Sequence, residues 1–203
     1  AIWSSLVGSE MCIRDRARRM GGKDKPLLSI GGQTILDRQL DATALHKVRV
    51  INANGDLSRF ESYGLPVIPD SLPDWPGPLA GILSCLDWLA QSHCECDLLL
   101  SCATDAPFIS SDLAFRLLQA RTAENATLAQ ARSSGRRHPV FGLWPVSIRQ
   151  DLRTALIEDG LRKIDDFTDR FSLAIADFAG HPDPFSNVNQ PDDIAAAEAY
   201  FYS

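Results

Sequence analysis

Asp97-Leu98-Leu99-Leu100-Ser101-Cys102-Ala103-Thr104-Asp105-Ala106-Pro107 is the stretch on which the fold turns. Its first six residues form the most apolar short run in the chain, and turn-forming residues follow at once. A strand covered on both faces loses the alternation of a half-buried one, so this run predicts a central strand sandwiched between helices. A residue just beyond such a strand lies at the carboxyl edge of the sheet, where open α/β sheets bind ligands. Asp105 sits there. Its carboxylate suits Mg2+, which takes one or two carboxylates with substrate phosphates and water around it. Asp105 and Pro107 are also the ingredients of a plain turn.

Working outward, short apolar runs alternate with amphipathic helical patterns, the signature of βαβ units and a mostly parallel central sheet. Thr34 to Leu45 predicts a helix after the Gly31-Gly32 turn. Val48 to Ile51 and Val67-Ile68 predict strands, and Pro78 to Ala90 a helix with one buried face. Ser110 or Ser111 is expected to cap a helix through Leu118. Thr127 to Ala131 and Val140 to Trp144 predict strands flanking a loop from Ser133 to Arg137. Ser147 to Ile157 and Lys163 to Phe167 predict helices, Leu173 to Asp177 a last strand, and Pro191 to Tyr202 a closing helix. Without repeats or a linker, residues 17–203 are expected to form a single domain.

The chain of 203 residues carries 20 Lys+Arg against 26 Asp+Glu, a formal charge of −6, with 45% hydrophobic residues. An acidic chain has no net pull on a phosphate backbone, so no nucleic-acid partner is expected. The apolar content excludes intrinsic disorder. No run reaches the roughly 18 apolar residues that span a bilayer, so no membrane partner is expected either. Five cysteines, an odd number without a secretory leader, predict a reducing cytoplasm. His93-Cys94-Glu95-Cys96 lacks the second ligand pair of a structural zinc site and is expected to hold free thiols in a surface loop.

Ala1 to Arg16 has no regular apolar period and no targeting pattern. Ser4 to Arg16 resembles a translated sequencing-adaptor read-through, and the expectation is a non-native segment, with a natural tail as the alternative.

Three further groups fall at predicted strand ends. In Arg18-Arg19-Met20-Gly21-Gly22-Lys23-Asp24-Lys25, adjacent glycines admit close backbone approach to an anion while Lys25 and Arg19 add donors. A solvated basic loop has the same composition. Asp74-Trp75-Pro76-Gly77-Pro78-Leu79-Ala80-Gly81 is a stiff loop entering a helix N-terminus, suited to a heterocycle or phosphate or to helix entry alone. His138-Pro139 and Asn187-Val188-Asn189-Gln190-Pro191 carry groups that can recognise a polar heterocycle, or that serve as turn and cap residues. Asp70, closing the strand Val67-Ile68, has the same two readings.

Together these groups resemble the molybdenum cofactor guanylyltransferase family. The residues that carry the likeness are Arg19-Met20-Gly21-Gly22, Asp24-Lys25, Asn52-Ala53-Asn54, Asp70-Ser71, Pro76-Gly77-Pro78-Leu79-Ala80-Gly81, Thr104-Asp105-Ala106-Pro107, His138-Pro139 and Asn187-Val188-Asn189. The resemblance spans 17–203 and implies an α/β Rossmann-like three-layer sandwich with a mostly parallel central sheet, of the nucleotide-diphospho-sugar transferase type. It implies GTP over the first loop, with Gly21, Gly22 and Lys25 at its phosphates, Asn52, Asp70, Gly77, Pro78 and Leu79 in the nucleotide pocket, and Mg2+ on Asp105. His138, Asn187 and Asn189 would face Mo-molybdopterin. The family's first strand and its Leu-Ala-Gly-Gly fall where Val7 to Asp15 stand, so Cys12, Ile13 and Arg14 replace its backbone contacts, and none of them is Gly.

The implied reaction is attack by the terminal phosphate of Mo-molybdopterin on the α-phosphorus of GTP, with pyrophosphate leaving. Arg19, Lys25 and Asp105 are the implied catalytic residues. A cytoplasmic monomer that hands its product to molybdoenzymes or cofactor-delivery proteins is the implied setting. The alternatives are a cytidylyl- or other nucleotidyltransferase on molybdopterin or a sugar phosphate, and a non-catalytic molybdopterin carrier.

Overall fold

The computed structural model describes residues 9–14 as backbone, and residues 25–72, 77–92 and 95–202. In chain order its strands are β1 (Ser9–Arg14), β2 (Ser29–Ile30), β3 (Gln33–Thr34), β4 (Arg49–Asn52), β5 (Val67–Ile68), β6 (Leu98–Ala103), β7 (Leu128–Ser133), β8 (Arg136–Pro145) and β9 (Leu173–Phe178). The α-helices are α1 (Ile35–Ala42), α2 (Pro78–Ser92), α3 (Leu113–Ala123), α4 (Arg149–Ile157), α5 (Ile164–Thr168) and α6 (Pro191–Phe201).

The apolar run Leu98–Ala103 is the centre of a sheet ordered β5-β4-β1-β6-β8-β7-β9. Successive side chains of a strand face opposite ways, and both faces here meet helices. Leu100 and Cys102 pack with Leu36 of α1 and Leu113 and Leu117 of α3. Leu99 packs on the other face with Leu79, Leu83 and Leu86 of α2, Leu152 of α4 and Phe167 of α5. The neighbouring strands divide in the same way: Ile51 and Leu143 join the first core, Val50 and Trp144 the second. Three layers result.

The sheet is mixed and only partly parallel, which corrects the expected mostly parallel sheet. β8 runs antiparallel to both β6 and β7, whereas the other pairs are parallel. The cause is local. Ser134 and Gly135 both take positive φ, 49° and 76°, and make a two-residue hairpin turn whose twist matches its strands. The expected five-residue loop from Ser133 to Arg137 shrinks to that turn, and β8 reaches back to Arg136.

Other boundaries shift for similar reasons. Thr34 caps α1 through a reciprocal pair: its hydroxyl accepts from Asp37 N at 3.0 Å, while Asp37 Oδ2 accepts from Thr34 N at 2.8 Å. The helix stops at Ala42 rather than Leu45, with Thr43 as its C-cap residue and the Thr43 hydroxyl donating to the Gln39 carbonyl at 2.6 Å. Neither Ser110 nor Ser111 caps α3; the N-cap position is Asp112, and Ser110 donates to its carboxylate at 2.6 Å. Leu57–Tyr63 forms a 3-10 helix that periodicity did not reveal. Cys96 is buried rather than in a surface loop, and His93 and Cys94 lie outside the described residues.

Within the stretch expected to be non-native, Ser9–Arg14 forms β1 between β4 and β6. A third, smaller core joins the β2–β3 hairpin to the C-terminal helix through Ile30, Ile35, Val188 and Ala197.

Candidate active site

The strands β5, β4, β1 and β6 run parallel and end level with one another. Arg14 pairs with Asn52 on one side and Ala103 on the other, and Asn52 pairs with Ile68. The residues just past these ends share one edge of the sheet. Leu98 to Ser101 of β6 pair with Pro145 back to Gly142 of β8, so the N-terminal half of β8, with His138, runs along the same edge.

Asp105 sits on the turn after β6, half-buried. Two anchors hold that turn. Gln39, fully buried on α1, donates from Nε2 to the carbonyls of Ala103 at 2.6 Å and Ala106 at 3.0 Å. Val188 N donates to the Asp105 carbonyl at 2.8 Å. Burial pushes the Asp105 carboxyl above the ordinary carboxylate range, and the nearby Lys25 charge offsets part of that rise. Ionised Asp105 therefore gains from any cation brought beside it. Among the described residues no group of three or more His, Cys, Asp or Glu gathers to hold a metal. One carboxylate beside a lysine fits Mg2+, whose remaining ligands are phosphate oxygens and water.

Lys25 opens a short 3-10 helix and donates from Nζ to Asn189 Oδ1. Its charge acts on Asp105, so residues 80 positions apart converge. Asn189 N and Gln190 N both donate to Asp193 Oδ2 at 2.8 Å, which fixes the turn into α6. The Asn187 amide, oriented to donate, reaches Asp105 Oδ1 and the Phe185 carbonyl, each at 3.2 Å. Lys25, Asp105, Asn187 and Asn189 are thus one constellation.

A second group closes β4 and β5. Asn52 donates to the Ile68 carbonyl at 3.1 Å and to Asp70 Oδ1 at 3.0 Å, and Asn54 donates to Asp70 Oδ2 at 2.9 Å. Asp70 N returns a bond to Asn54 Oδ1 at 2.9 Å. Asn52 is 1% exposed and its Oδ1 has no partner among the described residues, so it offers a ligand little surface and chiefly orients Asp70. Gly77 and Pro78 lead into α2, and the Leu79 side chain is wholly inside the core. Leu79 can face a ligand only through its backbone.

The third group surrounds His138. Its Nε2 lies 2.7 Å from Ser133 Oγ, which lies 2.8 Å from Asp183 Oδ1; Ser134 Oγ reaches Asp183 Oδ2 at 3.1 Å. Phe185 stacks at a tilt on the imidazole with centroids 4.8 Å apart. Burial lowers the His138 pKa, Arg136 adds to the effect and Asp183 opposes it. For Asp183 burial works upward, but the Phe185 N–H, the two serine hydroxyls and His138 outweigh it and hold the carboxyl below its usual range.

Arg19, Gly21 and Gly22 lie outside the described residues. Cys12, Ile13 and Arg14 are present as the backbone of β1, beside Val50 to Asn52 and Ser101 to Ala103. Gln39 and Asp183 escaped the sequence reading. A glutamine on the apolar face of α1, between Leu36 and Leu40, is the signal that points to the first. Asp183, between two prolines, looks like an ordinary turn residue.

Residues 15–171 match the family model of the MobA-like NTP transferase domain. Molybdenum cofactor guanylyltransferases from Rhodopseudomonas palustris (strain BisB5) and Nitrobacter hamburgensis are 48% and 50% identical to the chain over 184 residues, covering 90% of it and 88% of each relative. The fold matches the crystal structure of molybdopterin-guanine dinucleotide biosynthesis protein A from Archaeoglobus fulgidus, with a TM-score of 0.73 at 20% identity over 94% of this chain and 97% of that one. It also matches 2-C-methyl-D-erythritol 4-phosphate cytidylyltransferase from Thermus thermophilus, with a TM-score of 0.67 at 18% identity over 95% and 98%. The two solved structures, at 20% and 18% identity, share the α/β architecture. The chain belongs to the MobA-like NTP transferase family, on the branch of the molybdenum cofactor guanylyltransferases.

Proposed function

We propose that this chain transfers GMP from GTP to the terminal phosphate of Mo-molybdopterin, giving Mo-molybdopterin guanine dinucleotide and pyrophosphate. One observation carries the reading most directly: Lys25 and Asp105, far apart in sequence, meet at the carboxyl edge of the sheet with Asn187 and Asn189 beside them.

The chemistry explains why that pairing matters. A phosphate monoester is already an anion near neutral pH, so the acceptor needs no strong base. Its oxygen forms a bond to the α-phosphorus as the bond to the pyrophosphate oxygen breaks. The obstacle is bringing two anions together and receiving the charge that moves to the leaving group. Lys25, with Arg19 from the Gly21-Gly22 loop, binds phosphate oxygens and neutralises that charge. Asp105 holds Mg2+, which when bound lends further positive charge to the triphosphate. Asn52 fixes Asp70, which with Asn54 and the backbone at Gly77 and Pro78 lines the nucleotide side. The backbone of Cys12, Ile13 and Arg14 borders the same pocket. His138, Asn187 and Asn189 serve the acceptor side.

Residues 17–203 carry the side chains of the catalytic domain, and Ala1 to Arg16 is non-native in sequence, its Ser9–Arg14 stretch serving the sheet as the backbone of β1; the family match spans residues 15–171. Cys85, Cys96 and Cys102 are buried and joined in no disulfide, which suits a reducing cytoplasm. Among the described residues no helix is long and apolar enough to cross a membrane. The enzyme acts there as a monomer and passes its product to molybdoenzymes or their delivery proteins. Incubation of the chain with Mg2+, Mo-molybdopterin and either GTP or CTP tests the reading. Pyrophosphate released with GTP alone supports it. Release with CTP alone assigns a cytidylyltransferase, and acceptor binding without release from either nucleotide assigns a carrier.

A further inference from the structure

The Asp183–Ser133–His138 chain lies outside the phosphate-binding constellation, yet it is built with more care than a surface cluster needs. Ser133 is 2% exposed, and its single hydroxyl proton can serve one acceptor. Asp183 Oδ1, at 2.8 Å, accepts but cannot donate when ionised, and its carboxyl is held below the ordinary range. The Ser133 proton therefore goes to Asp183. The remaining Ser133 contact, 2.7 Å from His138 Nε2, then requires the proton of that bond to sit on the imidazole. The ring is fixed with hydrogen on Nε2, leaving Nδ1 with a lone pair and no partner among the described residues.

We infer that Ser133 and Asp183 are positioning residues that lock His138 as the Nε2–H tautomer, so that Nδ1 is presented as a hydrogen-bond acceptor to an N–H group of the pterin acceptor. The inference rests on the proposed acceptor-side role of His138. Three further contacts fit it. Phe185 holds the imidazole at 4.8 Å and donates its own N–H to Asp183 Oδ1 at 2.9 Å, so ring and carboxylate are set by one residue. Phe141 packs against both rings. The Phe185 carbonyl receives the Asn187 amide, which also reaches Asp105, so the imidazole is tied to the phosphate site through two residues. A pterin is flat and carries N–H donors on its amino group and ring. An acceptor nitrogen beside an aromatic face is the complement of that chemistry.

Long-range 1H–15N correlation of the full chain, with histidine rings labelled, reads the tautomer directly. The His138 signals are assigned by their loss in His138→Gln. At a pH where the ring is neutral, the wild type should show Nε2 protonated and Nδ1 unprotonated, with little averaging. Ser133→Ala should move both shifts toward the average of free imidazole. In the transfer assay its KM for Mo-molybdopterin should rise about tenfold, equivalent to about 1.4 kcal/mol, with the KM for GTP unchanged. A wild-type ring protonated on Nδ1 overturns the lock without any variant having to fold. Shifts unaffected by Ser133→Ala overturn the part played by Ser133. A lost lock with both KM values unchanged overturns the contact with the acceptor while leaving guanylyl transfer itself intact. Failure of the wild type to release pyrophosphate from GTP refutes instead the reading on which the inference rests.

Discussion

Replacing Gln39 with Leu is the most searching test of how the fold positions Asp105. The two residues are similar in volume, and the site is fully buried, so the change removes hydrogen bonding without opening a large cavity. Two carbonyls, those of Ala103 and Ala106, lose their donor at 2.6 and 3.0 Å. A buried acceptor left without a partner costs about 1–3 kcal/mol, so the pair costs about 2–4 kcal/mol after local relaxation. Against this, Gln39 Oε1 is itself buried without a partner among the described residues, and removing it returns about 1–2 kcal/mol. The net loss is about 2 kcal/mol, or a fall of about 4–8 °C in Tm for a domain of this size. Calorimetry of the wild type and Gln39→Leu measures that fall. Because the two carbonyls flank Asp105, the Mg2+ concentration for half-maximal pyrophosphate release should rise in the variant while the KM for the acceptor stays within twofold. A variant that melts within about 1 °C of the wild type and responds identically to Mg2+ refutes the reasoning.

Asp105→Asn should lose Mg2+-dependent transfer by at least about a hundredfold, and its Tm should hold or rise, because burial disfavours the ionised carboxyl it removes; near-normal turnover contradicts the metal role. Lys25→Met should raise the KM for GTP and slow pyrophosphate release, and an unchanged GTP titration defeats that assignment. The His138 ring should titrate below 6.5 in an NMR pH series, since burial lowers its pKa. The unfolded chain then takes up the proton first, so the ring's contribution to stability is whole above 6.5 and declines as pH falls toward the depressed value; a midpoint above 6.5 contradicts this. Replacing the residues before Ala17 with a strand followed by Leu-Ala-Gly-Gly should raise turnover, and equal rates for the two chains show that the segment as written is adequate.

The runs that became β4 and β6 were legible because burial on two faces writes itself into composition, β9 because its buried positions alternate, and β5 because prolines bracket it. β1 was not, because Ser9-Glu10-Met11-Cys12-Ile13-Arg14 has a polar half, and only its neighbours β4 and β6 make it a strand. The antiparallel β8 was hidden for a different reason. Ser134-Gly135 sits within five polar residues, and nothing local says that just two of them turn. Among the site residues, Asp105 announced itself by following the most apolar strand. Gln39 could be read only by asking why a glutamine lies on an apolar face, and its partners are 64 and 67 positions away.

The strand order divides the residues assigned to the two substrates of the proposed reaction. β6 separates β1, β4 and β5, whose ends carry the Asn52, Asn54 and Asp70 group, from β8 and β7, whose ends carry His138 and Ser133. Asp105 follows β6 itself. In the proposed reaction a nucleotide across the first set of strand ends and an acceptor across the second would approach each other over Asp105, which is where positive charge is most needed. The segment from Asp183 to Gln190 then acquires a mechanical meaning. It bonds Ser133 and Ser134 at one end, Asp105 in its middle through Asn187 and Val188, and Lys25 near the other end through Asn189. α6 anchors it by the Asp193 bonds to Asn189 and Gln190. A stretch that looks like a chain of turns and caps is a strap that ties the Ser133–His138 group to Asp105 and Lys25.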